Sequence, residues 1–294
     1  MTRPDPRAVL ELLKPITWFA PMWAFACGVV SSGQALGGKW PLIVAGVVLA
    51  GPLVCASSQA VNDWYDRHVD AINEPHRPIP SGRIPGRWGL GIAIFWTALS
   101  AVVAAMLGPV VLAAALVGLA LAWAYSAPPF RLKQNGWWGN AAVAACYEGL
   151  PWFTGAAVMT GTVPAPPVII LAALYSIGAH GIMTLNDFKS VSGDLRMGIR
   201  SLPAILGVER AARLACWVMA APQAVVIALL LRWDYPVHAA IVAGLVGAQL
   251  LAMKRLLSAP REQAAWYNAS GTTLYVLGML VCAFAVRPAL GGLS

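Results

Sequence analysis

The chain has 294 residues, of which 59% are hydrophobic and only 11% charged, with a mean hydropathy of +0.68 and a formal net charge of +8. This composition excludes a water-soluble globular domain and fits an all-α polytopic membrane protein. Nucleic-acid binding is excluded as well, because lysine and arginine are scattered between apolar runs and form neither a patch nor a reader motif.

In chain order, residues 5–14 form a short amphipathic piece whose Val9, Leu10, Leu12 and Leu13 are expected to lie along the membrane interface. The apolar run 16–36 is too long for the core of a signal peptide and is read as the first transmembrane helix. Further spans of bilayer length are expected at 40–61, 88–107, 109–126, 137–159, 166–186, 208–231, 236–257 and 266–286, which makes nine transmembrane helices. Alternating sides places 17 of the 20 basic residues with the amino terminus, leaving only Lys39, Arg232 and Arg287 opposite. The amino terminus and the 63–87 loop are therefore expected to be cytoplasmic. Cys27, Cys55, Cys146, Cys216 and Cys282 all fall inside apolar runs without a CxxC pair and read as buried thiols. Pro21, Pro151 and Pro222 fall within spans and are expected to kink them.

Between the second and third spans, residues 62–82 read NDWYDRHVDAINEPHRPIPSG, a concentration of charge without equal in this apolar chain. Asn62, Asp66 and Asp70 recur at i, i+4 and i+8, so a continuing helix carries them as one polar stripe, with Asp63 off it. Three oxygen-bearing side chains without a histidine or cysteine cluster suit a hard cation such as Mg²⁺.

After the sixth span the pattern returns: LNDFKSVSGD at 185–194 parallels VNDWYDRHVD at 61–70, 124 residues apart, and each is followed by an arginine–proline turn. The repeat predicts two related four-helix halves, about 15–126 and 137–257, with a ninth helix at 266–286, all in one domain spanning 1–294. The two acidic stretches then face each other across a central cavity at the cytoplasmic rim. Carboxylates there, with Arg67, Arg77, Lys189, Arg196 and Arg200 nearby, suit a Mg²⁺–diphosphate complex, and an apolar interior beneath suits an isoprenyl tail. Ordinary loop charges that fix topology are the plain alternative, but the repeated spacing and the expense of charge beside an apolar cavity favour use.

Asn62-Asp63-x-x-Asp66-x-x-x-Asp70 resembles the first aspartate-rich motif of the UbiA superfamily of membrane prenyltransferases, and the 186–194 stretch resembles the second. The run 70–75 (DAINEP) leading into 77–82 (RPIPSG), together with 125–133 (YSAPPFRLK) and 186–190 (NDFKS), is similar to the chlorophyll and bacteriochlorophyll synthase branch. One departure from the superfamily pattern is Ser190 and Ser192 where many members carry further acids between Asp187 and Asp194.

The resemblance implies esterification of a (bacterio)chlorophyllide propionate by a C20 prenyl diphosphate, geranylgeranyl or phytyl, in a bacterial inner or photosynthetic membrane, since no transit peptide precedes the first span. Turnover is expected to depend on Asp66, Asp70 and Asp187, with Mg²⁺ held by Asn62, Asp66, Asp70, Asp187 and Asp194. Diphosphate is expected on Arg67, Arg77, Lys189 and Arg200. Arg131 and Lys133 serve either the diphosphate or the positive-inside bias. Tyr65, Tyr125 and Trp152 offer π faces to a prenyl cation, although aromatic residues also belt the membrane interface. His180 stands at i, with Thr184 and Asp187 at i+4 and i+7, which directs it toward the same cavity, as a pigment ligand or as an inter-helix hydrogen-bonding group. An ionised propionate needs no general base, which matches the lack of an obvious one. Prenylation of a quinone or haem precursor is the neighbouring alternative. A secondary transporter is a third, disfavoured because both acidic motifs lie at one membrane face. The sequence names no protein partner.

Overall fold

The computed structural model describes residues 3–291, with side chains as far as Arg287, so the ends of the domain expected over 1–294 lie outside it. Among the described residues the chain is helical with no named strand: α1 (Pro6–Leu12), α2 (Phe19–Ser31), α3 (Trp40–Asn73), α4 (Trp88–Leu107), α5 (Pro109–Ser126), α6 (136–160), α7 (Pro166–Asn186), α8 (Val191–Met197), α9 (Leu202–Leu206), α10 (Val208–Arg232), α11 (Pro236–Ser258) and α12 (Pro260–Gly291). Seven of them are long and apolar enough to cross a membrane, and an eighth crossing is available to the bent pair Pro6–Thr17 and Phe19–Ser31.

Nine spans were expected, and the difference lies in two segments. The run 16–36 does not make one straight span: α2 has 13 residues, only about 20 Å of helix, and bends by 54° from the segment before it. The run 137–159 is helical but falls short of the others in apolar character, because it carries Glu148, Pro151 and Trp152 and is broken by a π turn over Ala145–Gly149. A second π turn, Leu49–Cys55, sits inside α3 around Pro52, whose missing N–H and bulky ring disrupt the regular ladder.

The amphipathic start forms the helix α1. Part of its apolar side docks on the protein: Ala8, Leu12 and Leu13 are buried against Ala56, Ala60 and Val61 of α3 and Ile84, Ile92 and Ala93, while Leu10 stays exposed. An amphipathic stripe reads the same whether its apolar face meets lipid or a neighbouring helix. Arg83 completes the clasp with two bonds to the Glu11 carboxylate, at 2.5 and 2.9 Å.

Two close helix contacts set the interior. A Cβ on Gly28 of α2 would stand 2.0 Å from the Trp152 carbonyl of α6, and one on Gly155 would stand 2.1 Å from the Phe25 carbonyl, so only glycine allows these backbones to touch. On the outer faces, Phe95, Met106, Ile177, Trp217 and Leu251 are exposed, as lipid-facing residues of a membrane bundle should be.

Candidate active site

The helix α3 does continue through the first acidic motif, ending at Asn73, so the first eleven residues of the expected 63–87 loop are helix. The single stripe is corrected. Each residue of an α-helix advances by about 100°, so the two i+4 steps from Asn62 to Asp70 accumulate a drift of about 80° and carry Asp70 to the azimuth of Asp63. The motif accordingly has two edges. Asp63 and Asp70, both buried, share the Arg77 guanidinium at 3.5 and 3.0 Å, and Lys14 reaches Asp63 at 2.6 Å. Arg77 also bonds Glu74. Burial works against the charge of Arg77, but the three carboxylates around it raise its pKa above the ordinary value.

The other edge, Asn62 and Asp66, faces the middle of the bundle. Asn62 donates to Ser126 Oγ at 3.3 Å and lines a cavity of about 210 Å³ with Tyr125, Gln59, Tyr147, Cys146 and Gly118 among others. Asp66 is met from above by the 127–135 loop: Lys133 Nζ lies 2.5 Å from its Oδ1, and Arg131 Nη2 3.7 Å. Burial lowers the Lys133 pKa, with Asp66 pulling it back up. Arg131 is held in the left-handed region at φ 42°, and its Nε is buried without a hydrogen-bond partner. A buried, unpartnered N–H donor on a guanidinium 3.7 Å from Asp66 fits an anionic ligand.

The same loop reaches the second motif. Gly136 N–H donates to the Arg200 carbonyl at 2.8 Å and Arg200 N–H to that of Gln134 at 3.0 Å, and a Cβ on Gly136 would lie 2.5 Å from the Leu202 nitrogen. The chain past α7 is not one regular helix: it tightens into a 3₁₀ turn over Asp187–Lys189 and restarts as α8. Asp194 is buried, and its Oδ2 accepts from Ser190 Oγ at 3.1 Å and Ser201 Oγ at 2.6 Å, leaving Oδ1 as its free acceptor. Ser190 Oγ, which also donates to the Asp187 carbonyl at 2.9 Å, thus holds the turn. Tyr125 lines the cavity together with Asn62 of the first motif.

The remaining expected site residues are dispersed. Arg67 folds back on its own helix, bonding the Trp64 carbonyl at 2.6 Å with its guanidinium 4.0 Å over the Trp64 ring. Lys189 and Arg200 are exposed near the second motif. Tyr65 packs edge-on against Trp123 in the cluster under α1. Trp152 is fully buried, donates to Ser31 Oγ at 3.0 Å, and belongs to the core rather than to the cavity lining. The Nε2–H of His180 donates to the Trp137 carbonyl at 3.2 Å, the inter-helix bond expected as one of its two readings.

Sequence reasoning passed over Asn140. Its Nδ2 lies 3.3 Å from both Thr184 Oγ1 and Asp187 Oδ2, so this buried amide of α6 orients the second motif. It also passed over Asn268 of α12, which donates to Asn186 Oδ1 at 2.7 Å. The polar cavity wall below Asn62, formed by Ser58, Gln59 and Cys55, extends its stripe by further turns and was available from the i−3, i−4 and i−7 spacing.

Among the described residues no three His, Cys, Asp or Glu side chains converge on one point. That arrangement still fits Mg²⁺, which is held by one or two carboxylates with waters and substrate phosphates rather than by an all-protein cage. The donors available, Asp66, Asp187 and the amide oxygens beside them, are all hard oxygens.

The UbiA prenyltransferase family profile matches residues 17–277. The chain is 60% identical to the bacteriochlorophyll synthase 33 kDa chain of Cereibacter sphaeroides over 97% of its length and 94% of the relative's. It is 41% identical to the chloroplastic chlorophyll synthase of Arabidopsis thaliana over 94% of this chain and 73% of that one. A structure of a UbiA homolog from Archaeoglobus fulgidus bound to DMAPP and Mg²⁺ superposes with a TM-score of 0.69 at 22% identity, covering 95% of this chain and 98% of that one.

Proposed function

The chain belongs to the UbiA prenyltransferase family, and from that membership we propose that it esterifies the propionate of bacteriochlorophyllide or chlorophyllide with the C20 prenyl group of geranylgeranyl or phytyl diphosphate. The observation that carries the reading is the 60% identity to a bacteriochlorophyll synthase across nearly the whole chain. The cavity supports it, because its largely apolar lining ends at Asn62, one helical turn from the Asp66–Lys133 pair. That is the shape of a prenyl diphosphate, tail inward and head at the rim.

In the reaction the prenyl C1–O bond breaks with both electrons leaving on diphosphate, and a propionate oxygen forms the new C–O bond. The acceptor is already a carboxylate at neutral pH, so no side chain has to remove a proton from it. Arg131 and Lys133 bind the diphosphate and neutralise its growing charge, and Lys133 exchanges Asp66 for a phosphate oxygen as it does so. Arg77, Arg67, Lys189 and Arg200 supply the outer cationic field. Asn62, Asp66, Asp187 and Asp194 are the side chains that would hold Mg²⁺, whereas Asp70, expected from the sequence to join them, is engaged by Arg77 on the other edge. When bound, the ion adds Lewis-acid stabilisation of the leaving group. Tyr125 lines the dry chamber where the allylic cation is shielded from water.

The topology belongs to the same reading: nine crossings, with the bent α2 and the broken α6 counted among them, in two four-helix halves plus α12. The charge bias places the amino terminus and both acidic motifs on the cytoplasmic side. The deciding experiment is a product assay in which the purified protein is offered chlorophyllide or bacteriochlorophyllide, each with geranylgeranyl or phytyl diphosphate. Formation of the prenyl ester supports the proposal; ester formed only with a benzoate or haem acceptor overturns it.

A further inference from the structure

The cavity is too short for the chain assigned to it. Its lining runs along α5 from Tyr125 at the mouth to Gly118, seven residues and therefore about 10 Å of helix. A C20 prenyl chain has sixteen main-chain carbons, and with C–C bonds of about 1.5 Å it extends to about 20 Å. Half of it must lie elsewhere.

A separate apolar groove, open on the outer face of the bundle, lies next to the deep end of the cavity. It is formed by the next part of α5, Pro109, Val110, Ala113, Ala114 and Val117, facing Leu150 and Phe153 of α6, with a volume of about 470 Å³. From Val117 to Pro109 is eight residues, about 12 Å. Leu150 divides the two spaces: it lines the groove, and its Cδ1 would lie 3.6 Å from a Cβ placed on the cavity residue Gly118. On the other side of Gly118, Val54 Cγ1 would lie 3.8 Å from that Cβ. A side chain at position 118 would therefore fill the space between Val54 and Leu150, and Leu150 follows directly on the π turn Ala145–Gly149 that re-aims this part of α6.

We propose that the distal half of the prenyl chain passes between Gly118 and Leu150 and lies in the α5–α6 groove, so that this pair sets the chain lengths the enzyme accepts. The inference rests on the prenyl-diphosphate reading of the site but not on the identity of the acceptor. A ten-carbon chain ends at Gly118 and does not use the groove; a twenty-carbon chain fills both spaces. A membrane-lipid acyl chain is the competing occupant of the groove.

The test measures binding of non-hydrolysable thiolodiphosphate analogues of the geranyl and geranylgeranyl donors to the purified full-length protein, so that it stands apart from the ester assay. Gly118→Ala adds one methyl at ordinary contact distance, which the fold tolerates, but narrows the path. We expect its affinity for the C20 analogue to fall about tenfold relative to the C10 analogue, the discrimination one methylene gives in an apolar site. Leu150→Ala widens the path, and we expect it to bind a C25 analogue more tightly than the wild type does. Unchanged C20:C10 ratios in Gly118→Ala together with unchanged C25 binding in Leu150→Ala assign the groove to lipid and overturn the proposal. Equal losses for both analogues in Gly118→Ala with unchanged C25 binding in Leu150→Ala overturn it too. If neither analogue binds the wild type, the function reading falls with it; if both bind but no chlorophyllide ester forms, only the acceptor assignment fails.

Discussion

The ammonium of Lys14 stands 2.6 Å from Oδ1 of Asp63, 49 residues away, and ties the amino-terminal segment to the helix that carries the first acidic motif. Asp63 is 2% exposed, so removing either partner leaves the other poorly solvated. We expect Lys14→Ala and Asp63→Ala each to destabilise by about 2 kcal/mol, seen as a lower thermal midpoint in detergent. The double variant should lose no more than the worse single one; losses that add would show that the pair is not coupled.

The division of the motif into two edges separates its aspartates by role. Asp66 meets Lys133 one turn beyond the cavity residue Asn62, whereas Asp63 faces Lys14 and Arg77. We expect Asp66→Asn to lower turnover in membranes by about 10²–10³-fold and Asp63→Asn by less than about tenfold, with both proteins inserted. Equal losses at Asp63 and Asp66 would place both on the substrate.

Much of this was legible in the sequence, for identifiable reasons. Apolar run length and the lysine–arginine bias give the long helices, because a bilayer imposes both directly. The drift of Asp70 toward Asp63 was calculable from the helical repeat. What the sequence withholds is pairing across distance. Nothing local marks Lys14 as the partner of Asp63, and Asn140, a lone amide beside alanines, is unremarkable until α7 is folded against it. The docking of α1 was hidden because one amphipathic pattern serves lipid and protein alike.

Lys133 predicts a pH dependence. Burial holds its pKa below the ordinary lysine value, so it loses its proton, and with it the charge that holds diphosphate, at a lower pH than an exposed lysine does. We expect affinity for inorganic diphosphate to decline on the alkaline side in the wild type. Lys133→Arg, always charged, should remove the decline. A decline that persists unchanged in Lys133→Arg would assign it to another group.

Chelation of divalent cations should stop ester formation, and Mg²⁺ should restore it better than Ca²⁺, whose larger, looser coordination suits a clamp of few carboxylates and phosphates poorly. In Asp187→Ala the Mg²⁺ concentration for half-maximal rate should rise about tenfold or more. An unaltered Mg²⁺ requirement would remove Asp187 from the ion's surroundings.

Asn140 gives the sharpest test of the second motif, because it touches the motif without being acidic. It is buried, and one amide nitrogen sits 3.3 Å from both Asp187 Oδ2 and Thr184 Oγ1, so it fixes which way the carboxylate points. Asn140→Leu keeps the volume but withdraws the donor, leaving Asp187 to turn toward whatever cation is nearest. Asn140→Asp keeps the shape and adds a like charge, which favours protonation of one of the two acids. We expect both variants to insert normally and to lose about 10–100-fold in rate, with Asn140→Leu requiring more Mg²⁺ for half-maximal activity. A role confined to packing would leave the Mg²⁺ requirement of Asn140→Leu where it stands in the wild type, and that measurement separates positioning of the carboxylate from stabilisation of the α6–α7 contact.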